Sequence, residues 1–293
     1  MGFALGENGR VPAKVVFSGQ SDLVIWNQST KTEHFVRTAS FATDAESFDF
    51  IAPTPTKPDI EQVDRKVFRI LEAYIPKPSL GVSMGGGAGS GGPPTKSMPP
   101  PVTVVQVKSV GSFEATTLKA TDSRALQSWL KQRGYQFSPD QSVWLSHYVK
   151  KGWFLTAFKY VAEAEPLNSE AIRMSFKTPV PFCPYYVPAS NLQGNYSPLR
   201  VFVITEGIIE ATVGKSKAWQ YDHNFVAPFR NSDRAPLVRS LNLKLQDLPQ
   251  KGVVTIYDRG RFDPTQRDDL FFRPLTKPID QLFSFFAPPP PEW

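Results

Sequence analysis

Leu23-Val24-Ile25-Trp26, then Asn27-Gln28-Ser29-Thr30-Lys31, then Glu33 to Phe41: this stretch decides the fold class. Four apolar residues in a row read as a buried strand, and five polar residues after them as a loop. In the returning segment His34, Val36 and Thr38 alternate with Phe35, Arg37 and Ala39. A period of two is that of a β-strand, so the pair predicts an antiparallel hairpin.

Upstream, Val15–Phe17 reads as a further strand. Downstream, Phe48-Asp49-Phe50-Ile51 reads as another, stopped by Pro53 and Pro55. The period then changes. Ile60, Val63, Val67, Ile70, Leu71 and Tyr74 fall on one stripe of a helix bracketed by Pro58-Asp59 and Pro76. Beyond it, Val102–Val107 and Phe113–Leu118 form a second hairpin through Val110-Gly111. Thr121 or Asp122 caps a helix that faces the core with Ala125, Leu126, Trp129 and Leu130 and ends at Gly134. Ser138-Pro139-Asp140 opens another, carrying Val143, Trp144, His147 and Tyr148, closed by Gly152. The rest reads mostly as strands: Trp153–Val161, Ile172–Phe176, Leu199–Thr205, Ile208–Val213, Leu237–Leu245 and Val253–Tyr257. The fold class is therefore α+β, predominantly antiparallel, with about three helices.

Gly81 to Pro101 is mostly glycine, serine and proline, broken only by Val82, Met84, Ala88, Thr95, Lys96 and Met98. A segment with so little to bury cannot offset its ordering entropy and reads as a flexible linker. It divides the chain into a β-rich part with a closing helix (1–80), the linker (81–101) and an α+β part (102–293). Pro288–Pro291 predicts a polyproline II tail. Phe50–Pro55 echoes Phe176–Pro181, each a strand ending in Pro-x-Pro, a likeness too short to establish a duplication.

The bulk numbers exclude several classes. At 293 residues, 41% apolar and 20% charged, the chain can build a soluble core. Its 28 prolines favour short strands and turns over long helices. The net charge of +6 is uneven: residues 1–80 carry nine Lys/Arg against ten Asp/Glu, the remainder 24 against 17. The basic second part suits anionic partners, but without a dense Lys/Arg run or a basic helix face it gives no support for specific nucleic-acid binding. A single cysteine, Cys183, excludes an intramolecular disulfide and any zinc site with two or more cysteines. No apolar run is long enough to span a bilayer. Met1-Gly2-Phe3-Ala4-Leu5-Gly6 lacks the basic and apolar regions of a signal peptide, and Met1 reads as an added start on a trimmed chain.

One order of elements is familiar. It begins with a Val-Gly-Ser-Phe-Glu strand from Val110, followed by Thr121-Asp122-Ser123-Arg124-Ala125-Leu126-Gln127-Ser128-Trp129-Leu130 and Arg133-Gly134-Tyr135. After a second helix come Tyr148-Val149-Lys150-Lys151-Gly152-Trp153-Phe154 and Phe158-Lys159. With Val24-Ile25-Trp26, Thr32–Arg37, Phe50–Pro55 and Arg173–Pro179, it resembles the bacterial domain-of-unknown-function family 2330. That resemblance implies an exported bacterial protein of the periplasm or cell surface. It implies no activity and supplies no functional residues.

Candidate chemistry is sparse. Gly81-Val82-Ser83-Met84-Gly85 fits the nucleophile-elbow spacing, but no apolar strand precedes it and no helix follows. Gly87, Gly89 and Gly92 fit a dinucleotide fingerprint without the helix whose N-terminus would hold the phosphates. Cys183 is a weak nucleophile candidate with His34, His147 or His223 as base, set between Phe182 and Pro184 where a thiol is usually buried and inert. Ser146 and His147 are adjacent on a helix and point apart. Asp222-His223 reads as a loop pair. Three histidines far apart in sequence give no metal spacing, and Asp258–Asp263 with Arg267-Asp268-Asp269 interleaves charges of both signs as surface ion pairs do. No metal or cofactor is called for. Trp129, Trp144 and Trp153 take core positions. Tyr185, Tyr186, Trp219 and Tyr221 remain as an exposed aromatic platform for binding anionic envelope polymers or another envelope protein. The reading is a non-catalytic binding module, with a hydrolase using Cys183 or a serine and a histidine base as the alternative.

Overall fold

The structure is a computed structural model describing residues 4–5, 16–42, 49–75, 101–111, 113–135, 137–160, 171–188, 196–261 and 267–275. The linker expected over 81–101 lies outside the described residues except Pro101, as do Ser83, the three spaced glycines and the Pro288–Pro291 tail.

The chain begins β1 (Ala4–Leu5), β2 (Val16–Asn27), β3 (Thr32–Ala42), β4 (Asp49–Thr54), β5 (Asp59–Val63) and α1 (Lys66–Glu72). It continues β6 (Val102–Val110), β7 (Phe113–Ala120), α2 (Ser123–Gln132), α3 (Pro139–Lys150), β8 (Phe154–Tyr160) and β9 (Ala171–Lys177). The last third holds β10 (Phe182–Cys183), β11 (Tyr196–Thr205), β12 (Ile209–Val213), β13 (Lys217–Ala218) and β14 (His223–Pro228). It ends with α4 (Asn231–Leu241), β15 (Val253–Arg261) and β16 (Leu270–Pro274). No helix among the described residues is long and apolar enough to cross a membrane.

The expected hairpin is β2–β3, with Val24 opposite Phe35 and Trp26 opposite Glu33. Its loop is tied by Asn27, whose side-chain oxygen accepts from the Ser29 and Thr30 amides. The hairpin lies inside a seven-stranded sheet ordered β14-β15-β11-β2-β3-β9-β5. Among the described residues every strand pairing is antiparallel except β2–β11, where Val24 lies beside Val203 in a parallel register. A five-stranded sheet runs β1-β4-β8-β7-β6 and a four-stranded one β10-β16-β12-β13.

Period-two alternation decides what each strand face covers. Leu23, Ile25, Val36, Phe202 and Ile204 pack with Val67 and Leu71 of α1 and with Leu237 and Leu241 of α4. On the opposite face Val24, Phe35, Met174, Val201 and Val203 meet Leu270 and Phe272 of the four-stranded sheet and Ala115 and Phe158 of the five-stranded one. The far side of the five-stranded sheet, through Ile51, Leu118 and Leu155, is covered by Leu126 and Leu130 of α2 and Trp144 and Tyr148 of α3.

The caps of α2 and α3 are those the sequence predicted. The Asp122 carboxylate accepts from the Ala125 amide at 2.7 Å, and Ser138 and Gln141 form a reciprocal capping box. Elsewhere the expectations need correction. Ile60 and Val63 sit on β5, paired with β9, and the helix is the shorter α1. Strand β4 continues through Pro53, which pairs with Leu155. Leu237–Leu245 is not a strand: residues up to Leu241 belong to α4, giving four α-helices among the described residues rather than about three. The alternating Leu241, Leu243 and Leu245 imitate a strand, and Pro236 inside the helix hides its period. What docks α4 is Arg173 of β9, buried at 4% exposure, whose guanidinium donates to the Leu241 and Asn242 carbonyls at the helix end.

Candidate functional site

A cavity of about 780 Å³ opens where the four-stranded sheet meets the β14–β15 edge of the large sheet. Its floor comes from Ile209 and Ala211 of β12 and Tyr257 of β15. Trp219 and Tyr221 after β13 form one wall, with Asn224 and Val226 of β14 beside them and Arg273 and Leu275 at the far end. The Tyr257 hydroxyl donates to the Ile209 carbonyl at 3.2 Å and joins the two sheets. The Trp219 amide donates to the Ala211 carbonyl at 3.1 Å.

Three rings define the aromatic lining. Trp219 and Tyr221 lie 5.9 Å apart, Tyr221 and Tyr257 4.9 Å, and Trp219 and Tyr257 5.6 Å, all inclined rather than stacked. Tyr221 is 39% exposed, so part of the lining faces solvent. Burial, with Tyr221 and Glu210 nearby, holds the Tyr257 phenol well above its ordinary range, so it stays a neutral hydroxyl. The lining carries two cations and one carboxylate. Arg273 gives one N–H to Thr212 Oγ1, Lys215 and Asn224 stand exposed at the rim, and the buried Trp219 indole N–H has no hydrogen-bond partner. Glu210 is the lone carboxylate among the lining residues.

Of the four residues expected to form an exposed platform, only Tyr221 is exposed, and Trp219 is buried at 4% exposure. Trp219 and Tyr221 line the cavity. Tyr185 and Tyr186 are core residues at 2% and 4% exposure rather than surface groups. Tyr185 buttresses the cavity from behind, its ring 5.5 Å from Trp219. The Tyr186 carbonyl accepts the Trp144 indole at 2.8 Å. The segment after β10 runs through the main core.

Cys183 is fully buried, and its Sγ lies 3.2 Å from Asp22 Oδ2. That carboxylate also takes Arg37 through two nitrogens at 3.0 and 3.2 Å, and Gln20 at 2.5 Å. Burial, reinforced by Asp22, pushes the Cys183 thiol up, so it is a protonated donor and not a nucleophile. His223 is exposed at the start of β14, opposite Asp258. His34 does meet a serine, its Nδ1 2.8 Å from Ser175 Oγ. Burial and then Arg173 lower the His34 pKa to about 4, which makes it a poor general base at neutral pH. Ser146 is spent on the Ser142 carbonyl at 2.9 Å.

His147, by contrast, gains neighbours that sequence spacing could not show. Asp268 and Asp269, just before β16, reach it across the fold, with one ligand atom from each of the three within 4.8 Å of the others. Lys151 Nζ pairs with Asp268 at 2.9 Å and Asp269 at 3.5 Å.

The domain-of-unknown-function family 2330, described as an uncharacterized protein conserved in bacteria, matches residues 9–235. The chain belongs to this family. No curated protein matches it. A crystal structure of baculovirus P35 aligns over 91% of this chain and 99% of its own, at 9% identity and a TM-score of 0.39, a likeness too weak to bear on function. The stretch matched to family 2330 contains Glu210, Trp219, Tyr221 and Asn224 of the cavity. Tyr257 and Arg273, which complete it, lie beyond that stretch.

Proposed function

We propose that this bacterial protein is a non-catalytic binding module of the cell envelope, acting in the periplasm or at the cell surface, and that the cavity at the sheet edge takes its ligand. The observation that carries the reading is the lining itself: a partly exposed aromatic face beside two cations, Arg273 and Lys215, and a single carboxylate, Glu210. Arg273, Lys215 and the unpaired Trp219 indole N–H can only donate, Asn224, Thr212 and Ser216 can donate or accept, and Glu210 is the one carboxylate. A buried donor left without a partner costs about 1–3 kcal/mol, so the matching ligand brings acceptors. An acidic polymer with flat apolar faces, such as an anionic cell-wall glycan, satisfies both halves of the site. Rings give sequence-tolerant stacking, and arginine gives a charge-assisted bond to a carboxylate or phosphate. The envelope location rests on the family resemblance and on the basic bias of residues 81–293.

The test is retention of the purified protein on immobilised acidic and neutral polysaccharides. Acidic polymers are expected to retain the wild type, with Tyr221→Ala and Arg273→Gln each weakening binding about tenfold. Equal retention of all three proteins would refute the site, and turnover of an ester, amide or glycoside substrate would refute the non-catalytic reading.

A further inference from the structure

The cluster of His147, Asp268 and Asp269 stands apart from the cavity, and its details are those of a ligand set. Asp269 is fully buried. Its Oδ1 accepts the Tyr148 hydroxyl at 2.7 Å and the Tyr185 and Tyr186 amides at 3.1 and 3.4 Å, while its Oδ2 accepts no hydrogen bond. The buried Nε2 of His147 has no hydrogen-bond partner either. Two desolvated polar atoms from distant parts of the chain therefore converge with neither satisfied by a hydrogen bond, an arrangement that is costly unless something else sits there. Lys151 now supplies a positive charge, reaching both carboxylates from a flexible, partly exposed stem.

The surroundings fix the carboxylates. Gly214, in the turn after β12, has φ +59°, its amide donates to the Asp269 carbonyl at 2.9 Å, and a Cβ there would lie 2.8 Å from Asp268 Oδ2. Only glycine both adopts this turn and leaves room for Asp268. The His147 ring is held edge-on between Tyr148 and Tyr186, at 4.9 and 5.3 Å. A groove of about 600 Å³ along α3, lined by Ser142, Ser146, His147 and Lys151, gives access from solvent.

We propose that these three residues form a binding site for a first-row divalent cation of the zinc type. His147 Nε2 and one oxygen each from Asp268 and Asp269 are the protein ligands, and a fourth position is open to the groove. One imidazole with two carboxylates neutralises such an ion and suits Zn²⁺ or Co²⁺ rather than soft Cu(I). Ligands at about 2.1 Å from one ion stand roughly 3.5 Å apart, so the cluster needs only a modest contraction. Lys151 is the cation displaced, and it swings toward solvent when the metal enters.

The experiment uses the untagged full chain, stripped with a chelator, titrated with Co²⁺ by visible absorbance and with Zn²⁺ by calorimetry and thermal unfolding. Saturable binding of one ion per chain is expected, with a rise in the unfolding midpoint. His147→Gln and Asp268→Asn are expected to lose both. Lys151→Met, which removes the competing ammonium, is expected to tighten binding roughly tenfold or more. His147 and Asp268 are partly exposed, so folding of each variant is checked from its metal-free melt, and either one suffices. Absence of stoichiometric binding in both wild type and Lys151→Met, or unchanged affinity in His147→Gln, would overturn the site and leave Lys151 as a permanent counter-ion.

Discussion

Native Cys183 should be almost unreactive, and its labelling rate measures how firmly the main core is closed. The thiol has no exposed surface and donates to Asp22. A reagent therefore reaches it only after the strand segment opens. Opening exposes Phe182, Tyr185 and Val187 as well, each at most 2% exposed. At about 1.5–3 kcal/mol per large apolar side chain, that costs at least ~5 kcal/mol, or a slowing on the order of a thousandfold or more relative to unfolded chain. The assay is reaction with a chromogenic disulfide reagent at pH 8, in buffer and in denaturing urea. Arg37→Met then probes the ion pair. It leaves Asp22 buried without its cation, which costs about 3–5 kcal/mol, and labelling should accelerate by a large part of the original protection. A native rate within about tenfold of the unfolded rate would refute the reasoning and return Cys183 to consideration as a nucleophile.

Two further outcomes follow from groups buried beside this core. Because the His34 pKa is lowered to about 4 from 6.5, the unfolded chain binds its proton first on acidification. The stability this group contributes is complete above pH 6.5 and is lost as pH falls toward 4, by at most roughly 3 kcal/mol. Urea midpoints measured between pH 4 and 7 should flatten in His34→Phe, and parallel curves would count against it. Glu33 has the opposite sign: burial raises its pKa, only partly offset by the Phe182 amide, so its cost to the fold grows as pH rises above the ordinary carboxylate range. Glu33→Gln should gain stability over wild type with increasing pH, and a constant difference would contradict this. Gly214→Ala should lower the thermal midpoint by a few degrees, since a left-handed conformation costs about 1–2 kcal/mol for a residue with a Cβ. An unchanged midpoint would show that the turn adapts.

The elements legible in the sequence were those whose signals are local. The β2–β3 alternation, the Asp122 and Ser138 caps and the stops at Gly134 and Gly152 each depend on a few adjacent residues, and both glycines take positive φ in the structure. The errors came where two periods overlap. Ile60 and Val63 continue the stripe of Val67 and Leu71 in register, yet they belong to a strand whose buried positions happen to be three residues apart. Nothing local marks the parallel β2–β11 pairing, which brings residues about 180 positions apart side by side. The cavity was half visible because Trp219 and Tyr221 are close together. Tyr257 and Arg273 join them only through tertiary packing, and Asp268 and Asp269 reach His147 on α3 from a distant part of the chain.

Most of the strongly perturbed groups lie in the closed core. A catalytic acid or base needs a shifted pKa at a place where substrate can touch it. Here the strongest shifts fall on Glu33, Cys183 and Tyr148, all fully buried, with desolvation as the first cause in each case. Those shifts follow from closing a core around polar side chains that hold the strands and α3 together: Glu33 to the Phe182 amide, Cys183 to Asp22, Tyr148 to Asp269. The lining of the cavity holds rings, two cations and a single carboxylate, and there too the one raised group, Tyr257, owes its shift first to burial.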